Sequence, residues 1–260
     1  MDHSAAIYAA LRDPQDSSWN SDEKLALKQL ILFNVRQPLA MLLSCHSEFH
    51  ETERANFTRI VKAVAVVSLR YNVICNLQTH EQERLYNDIA WKVSAGDYAH
   101  ASDVITALRD VYPDDGRFKA AFSEKELRTT NSRNKKVVRY ILFEIERQRS
   151  GRDFDFESAV YNLEHILPEH PSEAWSYIEE SKQDRLIYRI GNMTPLETSR
   201  NRDLGNGDYP TKRQVFRQSV FQITKAVPEH YETWDEQKIE SRQKQLANVA
   251  AGIWKIEFGG

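Results

Sequence analysis

The chain has 260 residues, 41% of them hydrophobic and 28% charged, and carries a formal net charge of −3. This length is enough for one large domain or two modest ones, and we expect two. The near-neutral charge excludes a generally basic protein that coats nucleic acid, because non-specific DNA binding depends on many phosphate contacts.

The chain contains no stretch of about 18–20 apolar residues free of charges, and no signal-peptide pattern. We therefore expect a cytoplasmic protein without a membrane anchor. Cys45 and Cys75 are isolated within helical patterns, which predicts reduced core thiols and no disulfide framework or metal site.

Residues 1–150 are predicted to form a helical bundle. A capping pattern at 20–23 precedes apolar residues at helical spacing up to Phe33, and Pro38 should end or kink this run. Residues 56–75 are apolar on nearly every side, which is typical of a helix at the centre of a bundle. The core should therefore form around this segment.

The later part of this region predicts further helices over 81–93 and 99–111, followed by a clear break at 112–116. A capping box at 123–126 should begin another helix. Residues 135–147 then form a strongly amphipathic helical pattern.

A short polar link at 150–153 separates this region from a mixed segment, so we expect a second domain over 151–260. Apolar, β-prone residues predict strands at 160–164 and 193–196, with a loop or short helix at 175–180 between them.

A short helix that carries Asn201 should follow the second strand, with a turn at 205–207 after it. Two more helices are predicted over 211–225 and 234–254. The predicted fold class is thus mainly α, an N-terminal helical bundle followed by a small α+β domain with flanking helices.

An acid and a histidine, Glu164 and His165, stand side by side at the end of the first predicted strand, just before Pro168. Phosphodiester hydrolysis requires a base to activate water and a divalent cation to neutralise charge. His165 can accept a proton near neutral pH, and Glu164 offers the hard oxygen ligands that Mg²⁺ or Mn²⁺ prefers. Asn201 can complete a sparse ligand shell, and Asn192 can fix the imidazole or its loop by hydrogen bonding.

Each of these features has a simpler interpretation. A single Glu-His is more often a surface pair, and Gly191 with Asn192 is more often a plain turn. The combined order, an acid–His pair followed by two asparagines between β-prone residues, favours an HNH-type nuclease site.

Two basic stretches are candidates for a local DNA-binding groove. The stretch at 132–139 could equally be a solvated helix face. The other consists of Lys212 and Arg213, with Arg200 and Arg202 close to Asn201 in the sequence, and this closeness favours phosphate contact.

Four motifs resemble the HNH domain that ends GmrSD-type restriction proteins, which are modification-dependent anti-phage systems. They are Glu-His-Ile-Leu-Pro at 164–168, Gly-Asn-Met-Thr-Pro-Leu at 191–196, Asn201 and Tyr-Pro-Thr-Lys-Arg at 209–213. The phosphorothioate-sensing SspE nickases are similar. The resemblance runs over about 155–258 and includes the spacing of residues along the last predicted helix.

The resemblance implies a ββα-metal fold with His165 as general base. It implies that Glu164 and Asn201 bind a single Mg²⁺ or Mn²⁺ ion and that Asn192 orients the site. Similar domains in CRISPR effector nucleases have Asp where this chain has Glu164, and the Cys-x-x-Cys pairs of some HNH domains are absent here.

The partners implied by the resemblance are double-stranded DNA and a nucleotide-hydrolysing domain. That domain usually precedes the helical region in the family, yet residues 1–150 contain no P-loop or Gly-rich phosphate-binding motif. We therefore expect it in a longer chain or in a separate partner subunit.

Our leading hypothesis is a divalent-metal-dependent DNA endonuclease or nickase that acts in phage defence. One alternative is a non-catalytic module that kept the HNH fold and binds DNA or a partner protein. Another is an RNA-cleaving nuclease that uses the same residues.

Overall fold

The computed structural model of the chain describes residues 3–50 and 53–258, apart from the side chain of Asp203. Over these ranges it has thirteen α-helices and two β-strands. The first eight helices are α1 (His3–Leu11), α2 (Ser21–Phe33), α3 (Leu39–Cys45), α4 (Arg54–Ser68), α5 (Thr79–Ala95), α6 (Ala101–Ala107), α7 (Asp115–Glu124) and α8 (Ser132–Ser150). The remaining elements are β1 (Tyr161–His165), α9 (Glu180–Ile187), β2 (Met193–Glu197), α10 (Thr198–Leu204), α11 (Tyr209–Phe216), α12 (Gln222–His230) and α13 (Glu236–Ile253).

The mainly α class with a small β component is confirmed. The described residues form two compact units, one of 3–118 with 254–258 and the other of 119–253. This division falls before α8, because α8 packs against α12 and α13 of the second unit. The division into domains of 1–150 and 151–260 stays a prediction.

The first unit is the predicted helical bundle. Helix α4 is its centre, with the side chains of Phe57, Ile60 and Val64 fully enclosed. The expected capping box is present, since the Glu23 N–H donates to Asn20 Oδ1 and the Asn20 N–H donates to Glu23 Oε2, both at 2.9 Å. No helix in the described ranges is long and apolar enough to cross a membrane.

Two predicted helices were wrong and one helix was not predicted. The capping box at 123–126 begins no helix: α7 ends there, and Glu126 pairs with Arg189 in an isolated β-bridge. The predicted 211–225 helix is divided into α11 and α12. Helix α9 was not predicted, because only a loop or short helix at 175–180 was expected in this part of the chain.

The two strands form an antiparallel pair, and α10 follows β2 directly. Tyr161 lies opposite Glu197 and His165 lies opposite Met193. The strand–strand–helix order agrees with the sequence-based expectation, and Asn201 is in the short helix as predicted. This order brings the end of β1 near α10.

The core of the second unit lies beside this pair of strands. Among its fully buried side chains are Trp175, Phe216 and Trp234, which come from three separate segments. Packing of these aromatic rings holds the segment after β1 and the later helices together, as expected for residues that bury large apolar areas.

Candidate active site

The acid–His pair lies at the end of strand β1. Glu164 is opposite Thr194, and His165 is the last residue of the strand. Consecutive strand residues normally point to opposite faces. Here the strand ends at His165, and both side chains line one pocket.

That pocket has a volume of about 320 Å³. Glu164 and His165 reach it from β1, Asn201 from α10 and Lys212 from α11. Thr129 contributes from the segment before α8, more than thirty residues earlier in the sequence. Glu169, in the loop after β1, lines the pocket as well, so residues that are far apart in the sequence meet there.

Glu164 is the central carboxylate of this pocket and is largely buried. Its Oε2 accepts a hydrogen bond from Asn201 Nδ2 at 2.9 Å, and its Oε1 accepts one from Lys212 Nζ at 2.6 Å. Burial raises the pKa of Glu164, whereas the Lys212 charge and these hydrogen bonds act in the opposite direction.

Lys212 is fully buried, which differs from the exposed phosphate contact expected from its sequence. Its Nζ also donates to the carbonyl oxygen of His165 at 2.7 Å, so one ammonium holds both residues of the acid–His pair. Burial lowers the pKa of Lys212, and the Glu164 carboxylate opposes that change. The ammonium of Lys212 is therefore hydrogen-bonded within the site and does not face solvent.

The His165 ring is held by Thr129. The Thr129 hydroxyl lies 3.0 Å from His165 Nε2, and the Glu169 carboxylate lies 3.9 Å from the same nitrogen. Burial lowers the pKa of His165 to about 4, with further lowering by Lys212 and Lys135. The ring is therefore neutral at pH 7, the form that can accept a proton.

Asn192 is fully buried and binds the loop that follows β1, not the imidazole. Its Oδ1 accepts from the Leu167 N–H at 2.8 Å and from Trp234 Nε1 at 3.0 Å. Its Nδ2 donates to the carbonyl oxygens of Leu167 and Ile187 at 2.9 and 3.1 Å. Of the two expected roles, fixing the ring or fixing its loop, the contacts match the second.

Helix α13 holds the turn that carries Asn192. Arg242 donates to the carbonyl oxygens of Gly191 and Met193 at 2.6 and 2.8 Å, and the Gly191 N–H donates to Gln243 Oε1 at 3.0 Å. A Cβ on Gly191 would lie 2.4 Å from the carbonyl oxygen of Ile239. Only glycine therefore permits this close approach of turn and helix.

The three remaining basic residues differ in how tightly they are held. Arg200 donates to Glu197 Oε1 at 3.1 Å and to Gln218 Oε1 at 3.0 Å. Arg202 is exposed, and Arg213 is half-buried over the Tyr209 ring. Arg202 is thus the most accessible of them for a phosphate.

The pocket lies within a part of the chain that matches a known family. The sequence profile of the GmrSD restriction endonucleases, C-terminal domain, matches residues 112–249, more than half of the chain. The chain belongs to the GmrSD restriction endonuclease family. Membership supports a restriction endonuclease role in phage defence, with DNA as the substrate of a hydrolase. No curated protein gives a significant match.

Restriction endonucleases of the GmrSD family generally use a divalent metal, and the donors present here fit one. In the described part of the chain no three His, Cys, Asp or Glu side chains cluster as a metal site. Glu164 and Asn201 are neighbours, however, since Asn201 Nδ2 donates to Glu164 Oε2 at 2.9 Å. The Glu164 carboxylate and the amide oxygen of Asn201 are both hard ligands. The Lys212 ammonium already lies against Glu164 Oε1, which shows that this carboxylate attracts positive charge.

Two residues of this GmrSD-family pocket, Thr129 and Glu169, were not among the predicted site residues. Neither belongs to a motif recognised in the sequence, whereas Lys135, which also lines the pocket, comes from the basic stretch at 132–139. Thr129 is in a Thr-Thr-Asn cluster at 129–131, between α7 and α8. Only its 6% exposure, unusual for a threonine in a turn, distinguishes it, and that is a property of the fold.

Proposed function

We propose that this chain is an HNH-type, divalent-metal-dependent DNA endonuclease or nickase of a modification-related restriction system. The observation that carries the proposal is the convergence of Glu164, His165 and Asn201 in one pocket. These are the residue types that phosphodiester hydrolysis needs, brought together from β1 and α10.

His165 would act as the general base. Its neutral ring can take a proton from water while the resulting hydroxide attacks phosphorus and one P–O ester bond breaks. Thr129 is within hydrogen-bond distance of Nε2, so Nδ1 is the nitrogen that these contacts leave for water. The arrangement resembles a base fixed by an orienting partner, which reduces the freedom of the ring before reaction.

Glu164 and Asn201 would hold one Mg²⁺ or Mn²⁺ ion. When bound, such an ion supplies positive charge that stabilises the phosphate oxygens and the leaving oxygen. The two side chains offer few ligands, which leaves room for water and substrate. Lys212 would keep the Glu164 carboxylate in place through its 2.6 Å contact.

Asn192 would act through the backbone. Its bonds to both the N–H and the carbonyl of Leu167 fix the loop that follows His165. For DNA we assign phosphate contact to Arg200, Arg202 and Arg213, and the buried Lys212 is not included.

A plasmid assay tests this function. Supercoiled DNA is incubated with Mg²⁺, Mn²⁺ or EDTA, and open-circle and linear products are separated for wild type and His165→Ala. We expect cleavage in either metal, none in EDTA, and at least a ~100-fold loss in the variant, the range for a missing general base. His80→Ala, an exposed histidine on α5, is the matched control and should cleave normally.

Binding of Mn²⁺ provides a second readout. The paramagnetic resonance signal of free Mn²⁺ should decrease with wild type and His165→Ala, and much less with Glu164→Gln. Full cleavage by His165→Ala would remove the base assignment. Equal Mn²⁺ binding by Glu164→Gln would remove the ligand assignment, and cleavage of structured RNA in place of plasmid would favour the RNA-cleaving alternative.

A further inference from the structure

A second concave site, larger than the active-site pocket, lies between helices α8, α12 and α13. Its volume is about 600 Å³, and every residue that lines it belongs to the second unit. None of its lining residues also lines the pocket around His165. Pockets of roughly 300–1,000 Å³ are the usual size for small-molecule ligands. We refer to this site as the α13 groove.

The walls of the α13 groove are largely aliphatic. Ile145 comes from α8, Ile223 from α12, and Leu246 and Val249 from α13. Val249 is 40% exposed, a high value for an aliphatic side chain on a packed helix. The walls therefore offer apolar surface that a ligand could remove from water.

The polar part of the groove is positively charged. Arg242 lines it with only 4% of its surface exposed, and Arg149 and His230 line it as well. Of the described residues that line the groove, none is Asp or Glu. Its electrostatic character is therefore cationic, although the chain as a whole has a net charge of −3.

Among the residues that the structure describes, Arg242 is a buried cation with only neutral hydrogen-bond partners. It donates to the carbonyl oxygens of Gly191 and Met193 and, at 3.4 Å, to the Thr194 hydroxyl. Burial lowers its pKa to about 10, so it remains charged at neutral pH. A buried charge without an opposite charge is unfavourable, and an anion beside it would remove that cost.

The one buried carboxylate on α8 near this groove is already engaged. Both oxygens of Glu146 accept backbone N–H groups at the start of α12, those of Gln222 at 3.0 Å and Ile223 at 2.9 Å. Glu146 does not line the groove. Neutralisation of Arg242 from within the groove is therefore left to a ligand.

We propose that the α13 groove binds a small amphiphilic anion. Its carboxylate, sulfonate or phosphate group lies between Arg149 and Arg242, and its apolar body lies against Ile145, Leu246 and Val249. The same Arg242 holds the Gly191 and Met193 carbonyls on either side of Asn192. A ligand in the groove thus contacts the residue that fixes the turn of the active site.

The test uses two fluorescent probes that differ only in charge class. 8-Anilinonaphthalene-1-sulfonate is an aromatic anion, and N-phenyl-1-naphthylamine has the same rings without the sulfonate. Titration of the full chain should show saturable, one-to-one binding of the sulfonate. The uncharged probe should bind about tenfold or more weakly, the expected effect of one lost charge contact.

Variants locate the binding site. Val249→Glu places a carboxylate at the rim and Arg149→Gln removes a cation, so each should weaken sulfonate binding by about fivefold to tenfold. Val220→Glu is the matched control, because Val220 is 38% exposed and lies outside the groove. Thr129→Val, which should slow nicking with little change in stability, should bind the sulfonate normally, which separates this proposal from the proposed nuclease site.

Two results would overturn the proposal. Equal affinity for the charged and uncharged probes would mean that only exposed apolar surface is present. Sulfonate binding that is unchanged in Val249→Glu would mean that the anion binds elsewhere. Thermal unfolding of each variant, expected to match wild type because both changed residues are exposed, shows that the fold is retained.

Discussion

Lys212 joins the two residues of the acid–His pair, donating to Glu164 Oε1 at 2.6 Å and to the His165 carbonyl at 2.7 Å. The side chain that appeared in the sequence as a DNA contact is thus an internal cation. The Lys212–Glu164 ion pair determines where the Glu164 carboxylate lies, and Asn201 donates to the other oxygen of that carboxylate.

Lys212→Met should destabilise the second unit by about 3–5 kcal/mol, because it leaves the Glu164 carboxylate buried without its partner. The double variant Lys212→Met/Glu164→Gln should recover more than half of that loss, since it removes both charges. Urea unfolding measures both. Lys182→Met, which breaks the solvent-exposed pair with Glu236, is the control and should unfold nearly as wild type does. No recovery in the double variant would contradict the ion-pair account.

Thr129→Val should reduce kcat by about tenfold or more while KM and stability change little, because only the orientation of the His165 ring is lost. Thr129→Ser keeps the hydroxyl and should restore most of the rate. Steady-state plasmid nicking measures both constants. An equally low rate in the serine variant would show that the methyl group matters and not the hydrogen bond.

Gly191→Ala should be strongly destabilising, by roughly 3 kcal/mol or more, since its Cβ would lie 2.4 Å from the Ile239 carbonyl oxygen. Gly252→Ala is the matched control on α13, where an added Cβ meets nothing within 4 Å. It should be neutral or stabilise the helix by about 0.5–1 kcal/mol. Chemical unfolding compares the two, and similar midpoints would disprove the close approach.

The stability of the first unit should decrease as pH falls from about 6.5 to about 4. Burial and the neighbouring His50 lower the pKa of His46 from 6.5 to about 4. The unfolded chain then binds more protons in that window, so the folded state loses stability as the pH decreases. His46→Phe keeps a ring against Trp19 and Phe57 but cannot titrate. Its melting temperature should change less between pH 7 and pH 4.5, and parallel curves would exclude His46 as the cause.

Local sequence predicted the elements that depend on short-range signals. The capping box at Asn20 and Glu23, the helix break near Pro38 and the short helix with Asn201 are all found. The predicted strands agree with β1 and β2 to within one residue. Hydrophobic periodicity and capping act within a few residues, which explains why these signals are readable in one sequence.

Long-range contacts decided where local prediction failed. Arg189 donates to the Ser123 carbonyl and to Glu124 Oε2. It also forms a β-bridge with Glu126, where a helix had been predicted. The predicted 211–225 helix is broken between Phe216 and Gln222, and in this break Ser219 Oγ donates to Glu197 Oε2 at 2.9 Å. Neither partner is near in sequence, so no window of local residues contains the information.

For the candidate site, the sequence by itself supplied the residue types, an acid, a histidine and two asparagines, and the profile match supports membership of the family. Only the tertiary structure decided how those side chains are held. It enclosed Lys212 beside Glu164, brought Thr129 to His165, and turned Asn192 toward the loop. The physical reason is that burial and hydrogen-bond partners arise from packing between distant segments, whereas residue type and spacing are properties of the chain itself.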